Sequence, residues 1–144
     1  WGGIPIRRGE ADLEAMRQAL AALRAGQIVA IAPEGTRSGD GRLRRAHPGV
    51  VLLALHSRAP LLPVVYYGGE NFRANLSRLR RTDFHIRVGQ PFRLQTKGAS
   101  LTRQARQQIA DAIMARLAAL LPPAYRGVYA NLERPSPAEA YFCW

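Results

Sequence analysis

A chain of 144 residues is long enough for one domain with a buried core of its own. With 47% hydrophobic and 22% charged residues, it is neither compositionally disordered nor a bundle of membrane-spanning helices. The unusual quantity is charge: 21 Lys and Arg face 10 Asp and Glu, a formal net charge of +11, and Lys97 is the only lysine. Arginine offers a planar fork of donors that fits phosphate and carboxylate, so this balance favours anionic partners: nucleic acid, anionic lipid, an acidic protein or phosphorylated metabolites. An arginine-rich solvated surface is the plain alternative.

The chain opens on Trp1 and its only methionines are Met16 and Met114, so it reads as a piece of a longer protein. No basic stretch followed by an apolar run marks a signal peptide. The longest apolar run, Val50 to Leu55, stops at His56, well short of the ~20 apolar residues of a spanning helix, so no transmembrane segment is expected. Cys143 is the single cysteine, which excludes an intrachain disulfide and a cysteine-based zinc site; no metal site is expected.

From Ala11 to Ala25, Leu13, Met16, Leu20 and Leu23 recur at helical spacing and Gly26 follows as a stop, which predicts an amphipathic helix. Gln27 to Ala32 reads as a short buried strand, ended by Pro33 and the turn formers Gly35, Thr36, Ser38, Gly39, Asp40 and Gly41. Gly49 to His56 is apolar enough for a buried helix, Leu61 to Tyr67 for a second buried strand, and Asp83 to Val88 alternates as a more exposed strand. Leu101, Ala105, Ile109, Ile113, Leu117, Leu120 and Leu121 stripe a long helix that Pro122 and Pro123 end. Helices alternating with short apolar strands predict an α/β fold, a layered sheet of short buried strands flanked by helices. The expected division is a domain over residues 1–121 and an irregular C-terminal tail over 122–144.

The loop Pro33-Glu34-Gly35-Thr36-Arg37-Ser38 follows the first predicted strand, and ligands gather at the carboxyl ends of strands in open α/β sheets. Gly35 lets the backbone approach a ligand, Arg37 can grip a phosphate bidentately, Thr36 and Ser38 offer hydroxyls, and Glu34 can orient the arginine or accept from a substrate hydroxyl. A tight turn with a surface Glu34–Arg37 pair explains the same residues structurally. Two further segments are uninformative alone: Gly2 to Arg8 ends in paired arginines, and in Ala59 to Val65 the prolines Pro60 and Pro63 suit a strand entrance and an edge or bulge.

In this order, these segments resemble the glycerolipid acyltransferase family, which includes the lysophosphatidic acid acyltransferases. Its second block, G-x-x-x-x-x-R, is matched from Gly2 to Arg8, and its third, F-P-E-G-T-R-S, from Ala32 to Ser38 with alanine for phenylalanine. Its fourth, similar to V-P-I-V-P-V, is matched from Ala59 to Val64, and the intervening K-x-G-V-x-x-L-A resembles Ala46 to Ala54. A looser likeness surrounds Tyr125-Arg126-Gly127-Val128-Tyr129.

The resemblance implies a glycerol-phosphate acyltransferase-like fold, incomplete at its N-terminus, and an acyl transfer in phospholipid biosynthesis. The acyl group passes from the thioester of coenzyme A or acyl carrier protein to a hydroxyl of a lysophospholipid or glycerol phosphate, with the thioester as co-substrate and no separate cofactor. By the likeness, Glu34, Gly35, Thr36 and Arg37 bind the acceptor and Arg8 assists, with Ser38 and Pro63 in support. It further implies a membrane-associated protein on the cytoplasmic side. In the family a histidine of an H-x-x-x-x-D block takes the acceptor's proton. Here the residues five beyond His47, His56 and His85 are Leu52, Leu61 and Gln90, so the block is absent from this sequence and is expected upstream of Trp1. The chain as given is therefore expected to be an inactive fragment.

Arg73, Arg78, Arg80, Arg81 and Arg87 alternate with Leu76, Leu79 and Phe84 before and within the third predicted strand. This patch suits an anionic membrane or an acidic acyl carrier protein, and a solvated loop is the plain alternative. The competing functional readings are a basic non-enzymatic module that binds nucleic acid or anionic lipid, and a relative that binds lipid phosphate without turnover. Nucleic acid is disfavoured, since there is no helix-turn-helix, aromatic strand pair or zinc-ligand signature.

Overall fold

A computed structural model describes residues 3–5, 12–36, 38–96, 101–131 and 137–143. The first helix, α1 (Leu13–Arg24), starts where the Asp12 side chain accepts the N–H of Ala15 at 3.0 Å. It ends at Gly26, whose φ of +75° lets the N–H of Gln27 reach back to the Ala22 carbonyl and its own N–H to that of Leu23, closing the last turn. α2 (Gly49–Ser57) buries Val50, Val51, Leu53 and Ala54. α4 (Arg103–Leu120) is capped by Thr102, whose hydroxyl accepts from the N–H of Ala105, and it stops at Leu121 before the Pro122–Pro123 pair. The helical expectations for residues 11–25, 49–56 and 101–121 thus match elements with closely similar bounds.

The core forms around α4. Ile109, Ala110, Ile113 and Met114 pack with Val50, Val51 and Ala54 of α2 and with Phe92, Leu94 and Ala138. Among the described residues Ile109, Met114 and Val51 are the largest fully buried side chains, and each contributes about 1.5–3 kcal/mol by leaving water.

Among the described residues the strands are few and short. β1 (Val64–Tyr67) pairs antiparallel with β2 (His85–Val88) in the register Val64↔Val88, Val65↔Arg87, Tyr66↔Ile86 and Tyr67↔His85. Between them lies the short helix α3 (Phe72–Leu76). β3 (Arg93–Leu94) pairs antiparallel with β4 (Phe142–Cys143), and a lone bridge joins Leu61 to Phe92. The segment after α4 turns through 3₁₀ helices at Pro123–Tyr125, Gly127–Tyr129 and Pro137–Tyr141. The mixture is compatible with the α/β class.

It differs from the expected layered sheet in three places. Residues 27–32 form no strand and enter no ladder among the described residues, and Ile28 is 97% exposed. An apolar run becomes a buried strand only when a neighbour pairs with its backbone and a layer covers its side chains. Among the described residues no strand pairs with this run, and cover is partial, with Val29 half-buried beside Leu23, Val50 and Leu53. In β1 only Val65 is buried; Val64 and Tyr66 share a face with Ile86 and Val88, and all four are exposed. The described strands form two separate two-stranded sheets.

Candidate functional site

The Pro33–Thr36 turn is fixed at two points to the stretch before α2. The carbonyl of Pro33 accepts the N–H of His47 at 2.9 Å, and Oε2 of Glu34 accepts the N–H of Arg44 at 3.0 Å. The N–H of Gly35 closes the turn on the carbonyl of Ala32 at 3.0 Å. Gly35 has φ +66°, and a Cβ added there would stand 2.9 Å from Cδ2 of His47. Both the backbone conformation and the space require glycine.

Burial pushes the Glu34 carboxyl above its ordinary range, and the N–H and the positive charge of Arg44 pull it partly back. Glu34 therefore spends an oxygen on its own backbone frame, a role that ten residues of separation hide from local sequence reading. Thr36 is exposed and Ser38 is half-buried. Arg8 and Arg37, the two arginines expected at the acceptor, lie outside the described residues. Pro63 is buried apart from this turn, where its carbonyl accepts the N–H of Gly89 at 2.9 Å and its ring faces the Gly89–Leu120 corner.

The stretch that carries the turn is itself held from the far end of the chain. The N–H of Ala46 donates to the hydroxyl of Tyr129 at 3.1 Å, and that hydroxyl donates to Oδ1 of Asp111 at 2.8 Å. Nε2 of Gln107 donates to the carbonyl of Ala46 and to Oδ1 of Asp111, both at 3.1 Å. Burial, with the hydrogen bond to Asp111, pushes the Tyr129 phenol up to about 12 against the pull of the Ala46 N–H, so the hydroxyl stays neutral. Tyr125 and Val128 bracket Leu43: the N–H of Leu43 donates to the Tyr125 carbonyl at 3.0 Å and the N–H of Val128 to the Leu43 carbonyl at 3.3 Å. Gly127 lies so close to the Leu43 carbonyl that no Cβ fits between them. The sequence likeness around Tyr125–Tyr129 thus falls on a brace for the turn.

Beside His47 opens a recess of about 560 Å³ lined by Arg45, Ala46, His47, Arg103, Gln104 and Gln107. Its two guanidinium groups suit an anionic ligand. Sequence reading did not single out Arg45, Arg103 or Gln107; Arg45 lies in the stretch before α2, and α4 brings Arg103 and Gln107 to it from the other half of the chain. Among the described residues no group of three or more His, Cys, Asp or Glu could hold a metal ion. No helix there is long and apolar enough to cross a membrane.

Residues 1–67 match the family model described as Acyltransferase. Over 59 residues the chain is 41% identical to the 1-acyl-sn-glycerol-3-phosphate acyltransferase of Limnanthes alba, an alignment covering 40% of this chain and 21% of that protein. Over 116 residues it is 26% identical to 1-acyl-sn-glycerol-3-phosphate acyltransferase BAT2, chloroplastic, of Brassica napus, covering 78% of this chain and 33% of that protein. The chain thus spans only 21% and 33% of the lengths of these curated relatives. No solved structure is a significant match. The ordered blocks, the family model over residues 1–67 and these two likenesses all point to one family, the glycerolipid acyltransferases.

Proposed function

We infer that these residues form the acceptor-binding part of an acyltransferase acting on 1-acylglycerol 3-phosphate or a related lysophospholipid or glycerol phosphate, within a glycerol-phosphate acyltransferase-like fold. The observation that carries this reading is the doubly tethered Pro33–Thr36 turn, in which Gly35 exposes backbone beside His47 and the basic recess. A turn preorganised in this way spends little entropy on ligand binding, and Arg37 and Arg8 supply the charge for a phosphate. Ser38 supports the turn, and Pro63 acts apart from it, steadying the Gly89–Leu120 corner.

In the proposed reaction the acceptor hydroxyl gives its proton to a general base and its oxygen attacks the thioester carbonyl. The new C–O bond forms, the C–S bond breaks, and the thiol of coenzyme A or acyl carrier protein leaves with the proton. The thioester is the co-substrate, and no separate cofactor is needed. The 144 residues contain no H-x-x-x-x-D pair, so the role proposed for them is binding, with the base supplied by residues outside them. The products of such a reaction are lipids, which suits a membrane-associated protein.

Calorimetric titration with lysophosphatidic acid, glycerol 3-phosphate and unphosphorylated monoacylglycerol, kept below their aggregation thresholds, tests the reading. The phosphorylated acceptors are expected to bind and the monoacylglycerol not to. Arg37→Ala is expected to cost about 2 kcal/mol, the range of a charged hydrogen bond. Equal binding of all three, or no effect of Arg37→Ala, overturns the reading.

A further inference from the structure

The loop joining β1 to β2 is firmly held, yet it presents apolar and basic side chains to solvent. Asn75 staples it: its backbone carbonyl accepts the N–H of Arg78 at 3.1 Å and of Arg80 at 2.8 Å. Its side-chain Nδ2 donates to Oγ1 of Thr82 at 3.0 Å and to the carbonyl of Arg81 at 3.4 Å. At the tip, Leu79 takes φ +52°, a left-handed conformation that disfavours any residue with a Cβ, and its N–H donates to the Leu76 carbonyl at 3.1 Å.

Leu76 is 59% exposed and Leu79 is 95% exposed. Arg73, Arg78, Arg80 and Arg81 are exposed around them, and among the described residues none of these four guanidinium groups is in an ion pair. A solvated charge run does not account for a strained leucine at its tip. An acidic protein surface would meet the arginines and leave the leucines unexplained. An anionic bilayer answers both features, because its headgroup phosphates take guanidinium forks and the apolar phase beneath takes the leucines.

We propose that the α3 loop is a membrane-docking wedge that places Leu76 and Leu79 into one leaflet of a bilayer rich in anionic phospholipid, with Arg73, Arg78, Arg80 and Arg81 on the headgroup phosphates. The wedge deepens the membrane-associated part of the proposed function, but it rests on this loop alone. Its test reads no acyl transfer and no acceptor binding, so either proposal can fail without the other.

The test is co-flotation of the 144-residue chain with vesicles of phosphatidylcholine alone and of phosphatidylcholine mixed with phosphatidylglycerol. Binding is expected to the mixed vesicles and to be much weaker to the neutral ones. The Arg80→Gln, Arg81→Gln pair is expected to weaken it roughly thirtyfold, at about 1 kcal/mol per basic residue. Leu79→Gly suits the left-handed tip while removing the apolar side chain, and is expected to weaken binding roughly tenfold or more with thermal stability kept. Leu76→Ser gives the same reading should Leu79→Gly misfold. The control pair Arg17→Gln, Arg24→Gln on α1 removes equal charge and is expected to leave binding nearly unchanged. The proposal is overturned by absence of vesicle binding, by wild-type binding of the leucine variants, by an equal loss in the control pair, or by loop-dependent binding of acyl carrier protein without vesicle binding.

Discussion

Gly35 lies directly against the ring of His47, 2.9 Å from Cδ2 at the position a Cβ would take. This closeness makes the turn sensitive to a single methyl group. Gly35→Ala is expected to cost about 2 kcal/mol, part from φ +66° and part from contact with the ring. The parts separate in a cycle with His47→Ala, which opens the space but leaves the backbone cost. Urea unfolding of the four proteins measures the coupling, and purely additive effects would mean that the contact carries no energy.

Gly127 and Gly26 make a sharper pair. Both have positive φ, +53° and +75°, but a Cβ on Gly26 meets open space and one on Gly127 meets the backbone of Leu43. Gly26→Ala is expected to cost about 1 kcal/mol, the conformational part alone. Gly127→Ala should cost several times more, because a carbonyl cannot turn aside as a side chain can, and it should also loosen the brace under Ala46. Chemical denaturation ranks the two, and equal losses would contradict the ranking.

Tyr129 ties folding to alkaline pH. Its phenol ionises near 10 when unfolded and near 12 when folded, so folding favours the neutral form. That contribution is complete below pH 10 and is lost as pH rises from 10 towards 12. Tyr129→Phe should lower stability at neutral pH by about 1–2 kcal/mol, since the Ala46 N–H loses its acceptor. It should also flatten the decline between pH 10 and 12. Thermal melts across that range read both effects, and a decline as steep in the variant as in the wild type would count against the assignment.

Glu34 acts at the acidic end. Its carboxyl is raised above the usual 4.5 chiefly by burial, so the charged form is the disfavoured one in the fold. Its contribution is complete below pH 4.5 and lost as pH rises through the folded value. Glu34→Gln keeps an oxygen for the Arg44 N–H without the charge, and is expected to be as stable as the wild type at pH 7 or more so. Glu34→Ala leaves that N–H without its acceptor and should be less stable than either. A Glu34→Gln variant clearly weaker than the wild type at pH 7 would show that the charge itself is needed.

Much of this fold was legible because its determinants are local. Gly26 and the Pro122–Pro123 pair sit within a turn of the helix ends they set, and the spacing of Ile109 and Ile113 shows a buried face directly; the caps at Asp12 and Thr102 emerged only in the structure. Residues 27–32 misled because an apolar run states what it can bury, while a strand also needs a neighbour's backbone. β4 was invisible for the opposite reason: Phe142 and Cys143 become a strand only through Leu94 and Arg93. In the site, the turn itself was readable from Glu34, Gly35 and Thr36. Its contacts with Arg44 and His47, and the recess walls from α4, arise from tertiary packing that no local pattern encodes.

Ala46 is bonded on both sides as a residue in the middle of a sheet would be, yet its partners are the side chains of Tyr129 and Gln107, 83 and 61 residues away in sequence. Its amide hydrogen can therefore exchange with solvent only when Tyr129 lifts off, whatever the neighbouring strands are doing. In a deuterium-exchange experiment that one amide acts as a clock for the brace, timing how often the platform beneath the Pro33–Thr36 turn comes undone.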